Sequence, residues 1–97
     1  MNDFVFEGVV SDVLDSAFET MNHDTVHNRE FIVTEDEGLH PCRQKHNFCL
    51  YGDRFNQYAD RVRNGARVRV HFSFTGVNTS AQGRRYNSIG TWSVEAV

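Results

Sequence analysis

Hydrophobic and polar positions alternate most regularly toward the C-terminus. Val68, Val70, Phe72 and Phe74 alternate with Arg67, Arg69, His71 and Ser73, and a period of two describes a strand with one apolar and one polar face. A polar tip, Asn78-Thr79-Ser80-Ala81-Gln82-Gly83, follows, and the chain returns from Arg84 to Glu95. The stretch from Gly65 to Glu95 is therefore predicted to be a hairpin with a basic outer face. Upstream, Phe4 to Leu14 is rich in Val and Phe around Gly8, which predicts a strand that bends at the glycine. From Asp15 to Asn28 the chain is polar and loses periodicity, as expected of a long loop. Glu30 to Thr34 reads as a second strand ended by the acidic turn Glu35-Asp36-Glu37-Gly38. After Pro41 a third strand puts Gln44, His46, Phe48 and Leu50 on one face and Arg43, Lys45, Asn47, Cys49 and Tyr51 on the other, with the Phe48 and Leu50 side turned inward.

One helix is predicted between the third and fourth strands. Asp53 is a suitable N-cap, Phe55, Tyr58, Ala59 and Val62 recur at helical spacing, and Asn64-Gly65 supplies a stop. The order of three strands, a helix and two strands describes an all-β chain with one helix. Its expected architecture is a five-stranded OB-fold barrel (β-β-β-α-β-β) plugged by that helix. With 97 residues the chain suffices for one domain, residues 1–97, around a single core. Eight Phe residues supply enough apolar area to fold it without metals or disulfides. No apolar run approaches the roughly 20 residues that cross a bilayer, and the N-terminus lacks a basic-then-apolar leader. A soluble, cytoplasmic protein is expected.

Charge changes this picture. The net charge is −3, which argues against a nucleic-acid partner, but its distribution is uneven. Met1 to Gly38 carries ten acidic residues against Arg29 alone, for −9, and the remainder nets +6. An anion-binding face opposite an acidic one would produce this asymmetry, as would two patches that pair within the fold or between subunits.

His40, Cys42, His46 and Cys49 invite a zinc reading. Extended strand geometry separates His40 from Cys49 by roughly 30 Å and turns Cys49 to the opposite face, so no metal or other cofactor is expected. The same rise keeps Cys42 and Cys49 too far apart for a disulfide. No nucleophile elbow, phosphate-cradling glycine loop or HExxH-type helix is present, and the chain is not expected to be an enzyme.

An OB-fold binds single strands across its second and third strands, flanked by the loops joining strands 1 to 2 and 4 to 5. Such binding needs cations for phosphates and exposed aromatics for bases. The candidates are Arg43, Lys45, Arg67, Arg69, Arg84 and Arg85, with Tyr51 and Tyr86 for stacking and Phe31 as a further aromatic.

Gly8-Val9-Val10, Arg29 to Thr34, Phe48 to Asp53, Gly65-x-x-Val68-x-Val70-x-Phe72, and Gly83 to Tyr86 leading to Trp92-Ser93-Val94-Glu95 occur in order along the chain. In this set the sequence resembles a family of small bacterial domains of unknown function that are themselves similar to single-stranded DNA-binding proteins. The resemblance implies an OB-fold and a single-stranded DNA partner. The chain departs from the family's pattern at Val26-His27-Asn28 and at the tip Asn78 to Gln82, as a divergent member would. The expectation is a non-catalytic, weakly sequence-selective single-stranded DNA binder. The alternative is a protein interaction module or homo-oligomer in which acidic and basic parts of neighbours pair.

Overall fold

The computed structural model describes residues 3–36 and 43–97. Its elements are β1 (Asp3–Glu19), β2 (Thr25–Thr34), β3 (Lys45–Tyr51), α1 (Asp53–Tyr58), a 3-10 turn (Ala59–Arg61), β4 (Arg67–Thr79) and β5 (Arg85–Ala96). All strands pair antiparallel in one sheet of order β3-β2-β1-β4-β5. The chain is thus mostly β with one short helix after the third strand. The edge strands β3 and β5 lie against each other, yet no backbone ladder joins them, so hydrogen bonds do not close the sheet.

β1 holds the two halves of the sheet together. It pairs with β4 over Asp3 to Val9 and with β2 from Val9 onward, so Val9 faces both Thr34 and Arg67. The bend predicted at Gly8 falls at this switch of partners. A Cβ at Gly8 would lie 2.1 Å from the Thr34 carbonyl oxygen, a distance no side chain tolerates. Glycine is required here by the close crossing of two backbones. Farther along, the β1–β2 register shifts between Ser11 and Leu14, and the freed Val13 amide donates to Asn64 Oδ1 at 3.2 Å.

The segment Asp15 to Asn28, expected as a loop, is instead a hairpin arm: β1 continues to Glu19 and β2 returns from Thr25. Alternation in a sequence records burial of one face, and this ribbon is solvated on both, so no alternation marks it. The last hairpin also runs beyond its alternating stretch, to Thr79 and back from Arg85. The two arms close with the same turn. Thr20 N donates to Asp24 O at 2.8 Å, His23 N to Thr20 O, and Asp24 N to Thr20 Oγ1. Ser80, Gly83 and Arg84 repeat these three bonds. The fourth residue of each turn has positive φ, 64° at His23 and 82° at Gly83, where glycine is the easier choice. The arms lengthen the molecule: its radius of gyration is 14.5 Å, against about 12.5 Å for a compact chain of this size.

The core consists of Val10, Phe31, Val33, Phe48, Leu50, Val62, Val68, Val70 and Val94. The inward face predicted for β3 is the buried one, and Val62 and Ala59 of the predicted helical stripe are buried as well. The helix is shorter than its pattern. It tightens into the 3-10 turn at Ala59, and Gly52, with φ 52°, occupies the cap position expected of Asp53. Among the described residues no helix is long and apolar enough to cross a membrane.

Arg29 ties this helical segment to the sheet. Its guanidinium donates to Asp15 Oδ1 at 2.6 Å and Oδ2 at 2.8 Å, and to the carbonyls of Ala59 at 2.7 Å and Val62 at 3.0 Å. It also lies over the Phe55 ring, 5.5 Å from the centroid. Ala59 O also accepts from the Val62 amide at 3.1 Å, whereas the Val62 carbonyl at the end of the helical segment takes its donor from the forked guanidinium, which holds its carboxylate bidentate as well. Arg29→Ala is expected to cost about 3 kcal/mol, with Arg29→Lys recovering only part of it, as read by chemical denaturation. Gly8→Ala should cost about 3 kcal/mol by forcing β1 and β2 apart, while Gly76→Ala, which has open space around it, should change the denaturation midpoint little.

Candidate nucleic-acid interface

Strand alternation delivers the cations predicted from sequence to different places. Arg67 and Arg69 stand on the outer face of β4, opposite Val9 and Glu7 of β1. Carboxylates from neighbouring segments occupy both. Arg67 pairs with Asp36, and Arg69 with Glu7 and, at 3.4 Å, with Glu95. His71, next on the same face, pairs with Glu95 as well. The hydrogen bond from His71, with smaller contributions that include the charge of Arg69, holds the Glu95 carboxyl below its ordinary value. The basic face of the last hairpin is therefore largely neutralised within the sheet.

Arg43, Lys45, Arg84 and Arg85 differ. Among the described residues none of them has a carboxylate within ion-pair distance, and all four are exposed. Arg43 precedes β3 and Lys45 opens it, opposite Thr34. Arg84 lies in the turn of the β4–β5 arm and Arg85 starts β5 opposite Thr79. Regular alternation along β5 puts Arg85 on the face of Ile89, which packs on the core, and Tyr86 on the other face with Ser88. Arg85 and Tyr86, adjacent in sequence, thus serve opposite surfaces.

Tyr51 ends β3 at the helix end of the sheet, opposite Asn28, and is 62% exposed. A hydrogen bond with Cys49 raises its hydroxyl pKa, and burial pushes up that of the Cys49 thiol. Phe31 is wholly buried and serves the core, not a ligand. Of the four residues in the zinc reading, His40 and Cys42 lie outside the described residues. Cys49 is half-buried, and the His46 ring stands 4.7 Å from that of Phe6.

Phenylalanines that the sequence offers only as core form the most distinctive surface. From buried Phe31 a chain of rings runs outward through Phe48 and Phe72 to Phe4 and Phe74, with centroid separations of 5.9, 5.3, 5.7 and 5.1 Å. Exposure rises along it, from 2% at Phe48 to 39% at Phe4 and 53% at Phe74. The inward face of β1 and β4 continues past the end of the layer that covers it, leaving two rings in edge contact at the open rim. Phe74 ends the alternating run Val68, Val70, Phe72, Phe74 and Phe4 opens the apolar segment of β1, and that terminal position is the signal by which sequence could have singled them out. The start of β3 belongs to the same end, because Phe6, two residues along β1 from Phe4, touches His46 beside Lys45. The β4–β5 arm leaves from this end also, five residues separating Phe74 from Thr79.

No protein-family model matches the chain, and a search of curated proteins returns no match.

Because its folded-state pKa is lowered, Glu95 contributes stability that is complete above the ordinary glutamate value of 4.5 and is lost as pH falls through the folded value. Thermal midpoints should therefore drop below about pH 4.5, and Glu95→Gln should flatten that part of the profile.

Proposed function

We propose that this chain is a non-catalytic module that binds single-stranded DNA on an OB-type barrel. The carrying observation is the pair of exposed rings, Phe4 and Phe74, at the sheet end that also bears Arg43, Lys45, Arg84 and Arg85, none of which has a carboxylate partner among the described residues. The strand order and the helix after β3 support the barrel reading, with β3 and β5 as its unbonded seam. The resemblance to small domains similar to single-stranded DNA-binding proteins supports the same partner.

In this reading Arg84 and Arg85 on the arm and Lys45 and Arg43 at the start of β3 take phosphates on either side of the rim. Phe4 and Phe74 stack bases between them. Ring stacking accepts any base, and phosphate contacts carry no sequence information, so selectivity is weak. Arg67 and Arg69 are spectators because their charge is already balanced. Tyr51 and Tyr86, away from the rim or on the opposite face, contribute little. The opposite charges at the arm ends, Glu19 and Asp24 on one and Arg84 and Arg85 on the other, favour self-assembly as the second reading.

Fluorescence anisotropy with labelled oligo-dT tests the proposal. Binding is expected at low salt with a log–log salt slope of about −3, for four cations on a single strand. The Phe4→Ala/Phe74→Ala variant should bind at least about tenfold more weakly, and Arg67→Ala/Arg69→Ala should bind as the wild type does. Absence of binding at low salt would refute the reading, and light scattering in which mass rises with concentration would then support self-assembly.

A further inference from the structure

We infer that an open cleft beside Trp92 binds a nucleotide whose base carries an exocyclic amine. The cleft has a volume of about 340 Å³ and is lined by Asp3, Arg54, Ser73 and Trp92, a size within the usual range for small-ligand sites, about 300–1,000 Å³.

The indole reaches this place through an irregularity of the ladder. His71 pairs with Ser93 and Phe72 with Thr91, which leaves Trp92 as an extra residue without a partner. Such bulges re-aim a side chain. Trp92 is 36% exposed while Thr91 and Val94 beside it are buried. The His71 ring leans on it, 5.1 Å between centroids, and is itself held by Glu95. The result is a supported aromatic platform with open space against it.

The polar groups around that platform are unspent. Among the described residues the Arg54 guanidinium has no carboxylate partner, and its one side-chain hydrogen bond, to Gln57 Oε1, is long at 3.4 Å. Asp3 likewise has no cation partner among them. A guanidinium asks for an anion such as phosphate, and a carboxylate for an N–H donor. A flat ring on the indole that gives an amine to Asp3 and a phosphate to Arg54 matches all three demands, with the Ser73 hydroxyl free to donate or accept. Adenosine, guanosine and cytidine monophosphates carry that amine. Uridine and thymidine monophosphates do not, so a site built to hydrogen-bond the amine discriminates against them.

The cleft does not depend on the single-strand reading. Asp3 and Ser73 are opposed on β1 and β4, one residue along from the pair Phe4 and Phe72, and alternation turns them to the other face of the sheet. Phosphate contact and base stacking at the rim could both fail and leave this site intact.

Trp92 is the only tryptophan in the chain, so intrinsic fluorescence reports on the cleft directly. Titration with adenosine monophosphate should give saturable quenching, and uridine monophosphate should need at least about fivefold more ligand. Arg54→Ala should weaken adenosine monophosphate binding about tenfold, and Asp3→Asn should reduce the preference over uridine monophosphate. No saturable quenching in protein that is folded by circular dichroism would overturn the inference, as would equal quenching by the two nucleotides or unchanged affinity in Arg54→Ala. Thymine lacks the amine, so oligo-dT binding at the rim and nucleotide binding at the cleft succeed or fail separately.

Discussion

The Arg29 guanidinium carries a load that no hydrophobic contact in this chain could replace. It is charged, mostly covered, and reaches three segments at once: β1 through Asp15, and the helix end and the turn after it through the carbonyls of Ala59 and Val62. Without it the Val62 carbonyl loses its guanidinium donor and the Ala59 carbonyl keeps only the Val62 amide. The helical segment is then left to the packing of Phe55 and Tyr58 on the core and the Arg61 bond to the Val94 carbonyl. α1 has only six residues, none of them buried and no side-chain cap, too short to persist alone. The seat of the helix on the sheet thus rests in part on a cation on β2. The hydrogen bond from Arg29 in turn keeps the Asp15 carboxyl below its ordinary range, so the pair at the base of the arm is mutually supporting.

A second consequence concerns which charges are left for partners. On the outer face of β4 the sheet spends Arg67 and Arg69 on Asp36, Glu7 and Glu95. Such exposed pairs add little individually to stability, but they remove two cations from the surface potential. Charge complementarity within the sheet and availability to a ligand are thus alternatives, and a count of Arg and Lys along a strand does not distinguish them. The partner across the ladder decides, and that partner lies about 60 positions away in sequence for Arg69 and Glu7.

Where burial alternates with the backbone, sequence was a sufficient guide. The inward face of β3, the apolar face of β4, the helical stripe and the bend at Gly8 could all be read because each leaves a pattern in neighbouring residues. The β1–β2 arm could not, since a ribbon wet on both faces has no hydrophobic rhythm. The proposed rim was hidden for a different reason. Apart from standing at the ends of their apolar runs, Phe4 and Phe74 resemble Phe48 and Phe72, and their exposure depends on where the opposing layer stops. Trp92 was legible as a residue but not as a platform, because its orientation follows from a register shift between β4 and β5. The six cations named from sequence are sorted only by their partners in space, Arg67 and Arg69 being paired with carboxylates and the other four, among the described residues, not.

The paired turns bear on how such a sheet comes together in time. Each arm joins strands that are neighbours in sequence, so its closure brings together residues only a few positions apart, and the same three hydrogen bonds secure it at Thr20 and at Ser80. The β1–β4 ladder is of another kind: Asp3 meets Ser73 across nearly the whole chain, and loop-closure entropy makes that encounter the slow one. Two hairpins formed early and joined late along β1 are the order that this topology favours. Gly8 stands at the end of the β1–β2 hairpin where β1 passes to β4, and its lack of a side chain lets the Thr34 backbone close onto β1 before that joining.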